Sequence, residues 1–197
     1  MMLRIDLKYI FDWIPERSRV LDLGCGEGEL LYALKTQKNC QGYGIEIDTN
    51  RILKSMEKGI NVLQGNIENG LDIFNNGQFD VVVLSQTIQA MRNTEGILQE
   101  MARVGNQLIV TFPNFGYWRN RIQIGFGGHM PVSESMPYSW YDTPNIHWCT
   151  LTDFEKLCQD IDISVEERIV LTKGKSIQHF SNILGSLAVY RLGRVRM

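Results

Sequence analysis

The sequence predicts an α/β fold: a mostly parallel seven-stranded sheet with helices on both faces, ending in an antiparallel hairpin. Three observations carry this expectation. Short apolar, β-branched runs alternate with helical patterns over roughly the first 112 residues. The first of these runs opens into a loop with a glycine at every second position, and the loop leads directly into a helix. Two further apolar runs close the chain after a stretch in which the alternation stops.

The elements follow in order. A helix over about Asp6 to Trp13 precedes Pro15. Val20 to Leu23 is a buried strand, and Glu29 to Leu34 starts a helix. The segment Gln41 to Asp48 is a second strand ending in acids, and Asn61 to Gln64 is a short third. Phe79 to Leu84 is apolar on both faces, as a central parallel strand must be. Ile97 to Val104 is helical, and Gln107 to Phe112 is the fifth strand. From Pro113 to Thr150 the rhythm stops, in a window holding four of the five prolines, three of the four tryptophans and two of the three histidines. Thr152-Asp153-Phe154-Glu155 reads as a capping box opening a helix through Cys158. Val165 to Leu171 and Leu187 to Leu192 are the closing antiparallel pair. The whole, residues 1–197, is expected to be one domain with an aromatic-rich insertion or lid at about 113–150.

Composition narrows the class. The 197 residues are 44% hydrophobic and 21% charged, as in a soluble globular chain able to bury about 70% of its unfolded surface. A net charge of −2 argues against a general nucleic-acid or anionic-membrane binder. Arg191, Arg194 and Arg196 make a small basic end, read as solvated. Cys25, Cys40, Cys149 and Cys158 have neither metal nor disulfide-framework spacing. A reduced, cytoplasmic setting follows, with no signal peptide in Met1 to Asp6 and no run approaching the ~20 apolar residues of a membrane span.

The run Val20-Leu21-Asp22-Leu23-Gly24-Cys25-Gly26-Glu27-Gly28 carries the chemistry. A dinucleotide fingerprint needs a glycine three residues after Gly26, where Glu29 stands. No Gly-Lys-Ser/Thr closes the loop as a phosphate-binding loop requires. What remains, apolar-Asp-x-Gly-x-Gly-x-Gly, resembles motif I of the class I S-adenosylmethionine (SAM) methyltransferases, whose fold is Rossmann-like. SAM has no phosphate; it needs acceptors for an ammonium, a ribose diol and an adenine amine. Asp22, Gly24, Cys25, Gly26 and Gly28 are expected at its methionine end. Glu46, 18 residues past Gly28 and followed by Ile47, is expected at the ribose. Asn66 and Ile67 are expected at the adenine, with Asn66 standing where the family usually has Asp. Ser85, after the fourth strand, would share the same sheet edge. The resemblance thus implies SAM or S-adenosylhomocysteine (SAH) as the expected cofactor.

A methyl acceptor site is less legible. Ser85-Gln86-Thr87 lacks the Asn/Asp-Pro-Pro-aromatic clamp of amino-methylating enzymes, and Pro113-Asn114-Phe115 has neither its order nor its position. The stretch Pro137 to Trp148 gathers aromatics, Asp142 and His147. It reads as a lid held by aromatic packing, with His147 hydrogen-bonded within it. It also reads as an acid–base pair of His147 with Tyr141 or Asp142, or as an aromatic anchor for another protein, with Trp118, Arg119 and Arg121 nearby. His129 and His179 are isolated, and no cluster suggests a metal.

Arg19 to Gly26, Asp80 to Thr87, Phe112 to Gly116 and, most specifically, Pro137 to His147 resemble the methionine-biosynthesis protein family MetW, over nearly the whole chain. The resemblance implies a SAM-methyltransferase fold and a role beside homoserine O-acyltransferase (MetX), early in methionine synthesis. The family supplies no settled methyl acceptor, so no catalytic residue is carried over. The expectation is an accessory or regulatory SAM-binding partner of the acyltransferase. The alternative is a methyltransferase acting on a small molecule, with His147 or Tyr141 assisting; whether the chain is an enzyme stays open.

Overall fold

Alternation along the strands divides the apolar residues between two cores. Val20, Val81, Val83 and Ile109 point to one face of the sheet, and Leu21, Val82, Leu84, Leu108 and Val110 point to the other. The computed structural model describes residues 3–194. Among these, eight strands form one sheet: β1 (Arg19–Leu23), β2 (Gln41–Glu46), β3 (Asn61–Gln64), β4 (Phe79–Ser85), β5 (Gly105–Pro113), β6 (Ile163–Thr172), β7 (Lys175–Ser176) and β8 (Leu187–Arg194). Their order is β3-β2-β1-β4-β5-β8-β6-β7. The five strands from β3 to β5 are parallel, whereas β8 is antiparallel to both β5 and β6.

Helices cover both faces. α1 (Ile5–Trp13) and α2 (Glu29–Lys38) bury Leu7, Ile10, Leu30, Leu31 and Leu34 against one. α4 (Thr94–Val104) and α6 (Leu151–Asp160) bury Leu98, Met101, Phe154 and Cys158 against the other. Phe112 of β5 sits between Phe154 and Tyr190, with centroids at 4.7 and 5.7 Å. α3 (Thr49–Glu57) connects β2 to β3, and Asp48 caps it by accepting from Arg51 N. Because β1 lies between β2 and β4, the chain leaves its carboxyl end in opposite directions at this point. Open α/β sheets bind ligands in the crevice such a reversal creates.

The seven expected strands are present. β7 is an addition of two residues, joined to β6 by Lys173-Gly174, both at positive φ, in the manner of a tight hairpin turn. Three local expectations change. The capping box is Thr150…Asp153, not Thr152…Glu155: Leu151 must be buried, and its N–H donates to Asn182 Oδ1 at 3.2 Å, which fixes the helix start two residues earlier. The 113–150 stretch holds a helix, α5 (Trp118–Gly125), whose apolar side chains Trp118, Ile122 and Ile124 stay exposed; it is fastened instead by the buried Asn120, whose amide donates to the carbonyls of Asn114 and Phe115. The basic end is not a merely solvated one. Arg191 pairs with Glu167 at 2.8 Å, and Arg194 donates to the Arg103 carbonyl, closing β8 onto α4. Arg196, Met1 and Met2 lie outside the described residues. α7 (Ser181–Leu184) precedes β8. Among the described residues, no helix is long and apolar enough to cross a membrane.

Candidate functional site

The glycine loop is shaped by backbone geometry before any ligand is considered. Gly24, Gly26 and Gly28 have φ of +74°, +57° and +72°, a region that L side chains rarely adopt. The loop folds back over β2, with Gly24 N and Cys25 N both donating to the Ile45 carbonyl. A Cβ on Gly24 would meet Thr87 Oγ1 at 2.9 Å, and one on Gly28 would meet Ser55 Oγ at the same distance. Gly26 differs: nothing lies within 4 Å of the position its Cβ would take. Its missing side chain therefore opens space above the loop.

Neighbouring elements brace the loop. Glu46, buried at the end of β2, accepts from Gly26 N at 2.9 Å through one oxygen, and from Ile47 N and Asp48 N through the other. α3 supports the far side: Ser55 Oγ donates to the Gly26 carbonyl, Lys58 Nζ donates to that of Glu27, and Lys54 pairs with the Glu27 carboxylate. Cys25 is packing material. Its Sγ occupies the place a Cβ on Gly44 would need, and burial raises its thiol pKa far above the ordinary value.

A cavity of about 360 Å³ lies over this loop at the carboxyl ends of β1 and β4. It brings together Asp22, Gly24, Cys25, Gly26 and Ser85 with Arg4, Glu27, Gln86 and Thr87. Its volume falls within the range of small-molecule sites. Asp22 is only 4% exposed, and its carboxylate accepts no hydrogen bond among the described residues. Burial pushes its pKa up to about 7; the nearby Arg4 opposes the shift and Glu46 adds to it. Buried carboxylates are normally partnered, so Asp22 presents an acceptor to whatever enters.

The remaining expected residues distribute differently. Gly28 caps α2 behind the cavity. Ile47 is 65% exposed. Asn66 is exposed, and its Oδ1 caps a short turn by accepting from Glu68 N. Ile67 buries its side chain in the core, so only its backbone remains available to a ligand. Glu46 touches the loop rather than the cavity. Ser85 Oγ is already engaged with Arg4, Asp6 and Thr111. Of the readings open for His147, the acid–base pairing with Tyr141 or Asp142 is absent among the described residues. His147 Nε2 has only the Arg92 carbonyl, at 3.4 Å, and Tyr141 packs edge-on against Trp140 and is 75% exposed. The Ile146 and His147 amides pin this stretch to the Gln89 carbonyl, and local backbone tethering decides where the imidazole lies.

Sequence reasoning missed Arg4 and Asp6. Asp6 is fully buried and collects Arg4, Ser85 and Gln86 around one carboxylate. Burial works against its ionised form, but these donors, Arg4 foremost, hold its pKa below the ordinary value. The only sequence signal was an acid in the first turn of an amphipathic helix, which ordinarily marks a helix start. Gln86, next to Ser85, lines the cavity as well, and its Nε2 donates to Asp6 Oδ2 at 3.1 Å.

Comparison with known proteins bears on this site. The family model described as "Methionine biosynthesis protein MetW" matches residues 4–192. The bifunctional methionine biosynthesis protein MetXA/MetW of Rhodopirellula baltica is 34% identical over 176 residues, covering 85% of this chain. The chain spans 28% of that relative's length. Among solved structures, one similar chain comes from the complex between the Haloferax volcanii Trm112 methyltransferase activator and a methyltransferase. Its TM-score is 0.70 at 14% identity, covering 98% of this chain and 90% of that one. A SAM-dependent methyltransferase from Thermotoga maritima gives a TM-score of 0.69 at 20% identity, covering 97% of this chain and 87% of that one. At such identities the likeness is one of fold, the Rossmann-like fold of SAM-dependent methyltransferases.

Proposed function

The chain belongs to the MetW family of methionine biosynthesis proteins, and on that premise we propose that it binds SAM or SAH over the Gly24–Gly28 loop as an accessory subunit of homoserine O-acyltransferase. The observation that carries the partnership is the bifunctional relative of Rhodopirellula baltica, named MetXA/MetW, of which this chain matches 28%. Support for the ligand comes from the chemistry of the cavity. Asp22 offers an unpartnered acceptor suited to an ammonium, Gly26 leaves room above the loop, and no phosphate clamp is present among the loop's residues.

The 113–150 segment suits a partner-facing surface better than a lid. Trp140 and Tyr141 are 71% and 75% exposed, and Phe126 projects from the end of α5. Aromatic anchors of this type dominate protein interfaces. Because SAM is made from methionine, a SAM-loaded subunit could report end-product level to the acyltransferase. Linkage then requires that SAM change affinity for the acyltransferase by the same factor that the acyltransferase changes affinity for SAM.

The test is a titration of the chain into purified acyltransferase, with and without SAH, followed by sedimentation and calorimetry. Complex formation with SAH-dependent affinity is expected. Trp140→Ala should weaken the complex by about 2 kcal/mol while leaving SAH binding unchanged. No complex at tens of micromolar would sink the accessory role, and identical affinities with and without SAH would sink the feedback role. A second reading, methyl transfer to a small acceptor, draws on a separate cavity of about 410 Å³ between Gln89, His147 and Leu157. Transfer of label from SAM to a component of a cell extract would support that reading, and its absence would count against it.

A further inference from the structure

We propose that Arg4 forms a carboxylate subsite in the cavity over the glycine loop, so that this site selects ligands with an intact α-amino-acid tail. The proposal rests on the SAM/SAH reading above and adds a recognition element that the loop motif does not contain. Arg4 sits immediately before α1, in extended conformation, with half of its side chain exposed. Its Nε donates to Asp6 Oδ1 at 2.7 Å, and its Nη2 donates to Asp6 Oδ2 and Ser85 Oγ, both at 2.9 Å. Nη1 makes no hydrogen bond among the described residues. The guanidinium therefore keeps Nη1 as a free donor, and Arg4 lines the cavity together with Asp22.

Asp6 fixes the guanidinium in place. Its carboxylate is fully buried and is held in turn by Ser85 Oγ at 3.2 Å and Gln86 Nε2 at 3.1 Å. A bidentate arginine–carboxylate pair held on its far side is a rigid mount, and little side-chain entropy is lost when a second anion binds. Arg51 also lines the cavity, but no side-chain hydrogen bond orients its guanidinium among the described residues. Glu27, the acid at the rim, is already paired with Lys54. The cavity thus presents one oriented cation and one buried acceptor, Asp22. An α-amino acid carries the matching anion and ammonium on a single carbon.

Calorimetry with SAH and with 5′-methylthioadenosine tests this, because the second ligand keeps the nucleoside and thioether but lacks the amino-acid tail. Removing Arg4 alone would strand the Asp6 charge, so the main variant is Arg4→Ala with Asp6→Asn; Arg4→Lys retains charge without the fork. In the double variant the Kd for SAH should rise about 10- to 100-fold, as for a lost charge-assisted hydrogen bond, while that for 5′-methylthioadenosine stays within about twofold. Arg4→Lys should fall between wild type and the double variant for SAH. Equal losses for both ligands, or undiminished SAH binding, would overturn the subsite while leaving the cofactor reading intact. If wild type binds neither ligand, the cofactor reading fails and the subsite with it.

Discussion

Replacing Asp22 by Asn isolates the charge that the cavity keeps buried. The folded-state pKa of Asp22 is about 7, against an ordinary 3.8. The folded chain thus holds this proton more tightly than the unfolded chain. The resulting stabilisation is complete below the unfolded pKa, and it is lost as pH rises through about 7. The difference corresponds to about 4 kcal/mol as an upper bound, since some relaxation accompanies ionisation. Asn mimics the neutral acid. Asp22→Asn should therefore stabilise the ligand-free protein by a few kcal/mol at about pH 8, and by almost nothing at about pH 4, in chemical denaturation. An ammonium ligand imposes the opposite demand, because it needs the ionised form. From about pH 6 to about pH 8 the ionised fraction rises roughly tenfold, so wild-type affinity for SAH should rise about tenfold as well. In Asp22→Asn the affinity should be weak and flat over that range. Lower stability of Asp22→Asn at pH 8, or wild-type SAH affinity that ignores pH, would refute the reasoning.

Further expectations follow from the braces around the loop. Glu46→Gln puts an amide N–H₂ where backbone donors now converge, and should cost about 2 kcal/mol with faster hydrogen exchange at Gly26. Gly28→Ala must hold φ of +72° and crowd Ser55 Oγ, so a loss of about 2 kcal/mol is expected in urea unfolding, together with weakened SAH binding. Thr150→Ala removes the acceptor of the Asp153 amide and should lower stability by about 1 kcal/mol, whereas Thr152→Ala should do far less. Equal effects at the two threonines would return the helix start to Thr152.

Local pattern was enough for the architecture. Period-2 apolar runs must bury, central strands must be apolar on both faces, and a glycine-rich turn between strand and helix has few conformations. Hence the seven strands, the loop at Gly24 to Gly28 and the acid at Glu46 are all legible in the sequence. Meaning at single residues was less so. Glu46 reads in the sequence as an acceptor for a ribose; the fold adds a second task the spacing does not show, since both of its oxygens also accept from backbone N–H groups of the loop and of the turn after β2. Ile67 turned inward because the short turn capped by Asn66 aims its side chain at the core. His147 went to a carbonyl of the β4–α4 connection because neighbouring amides fix the chain there.

What the amino-acid order determined, then, was the alternation of strands and helices, the glycine loop and the closing antiparallel pair, since each follows from local spacing; the reversal between β1 and β4 came only with the order of the strands. The Arg4–Asp6–Ser85–Gln86 cluster could be decided only by tertiary structure. Arg4 and Asp6 lie about 80 residues from Ser85 and Gln86 and meet them because the start of α1 reaches the carboxyl end of β4. No local periodicity encodes that meeting. Burying one carboxylate and leaving another unpartnered are properties of the closed fold, set by which polar groups the packing of α1 brings within reach.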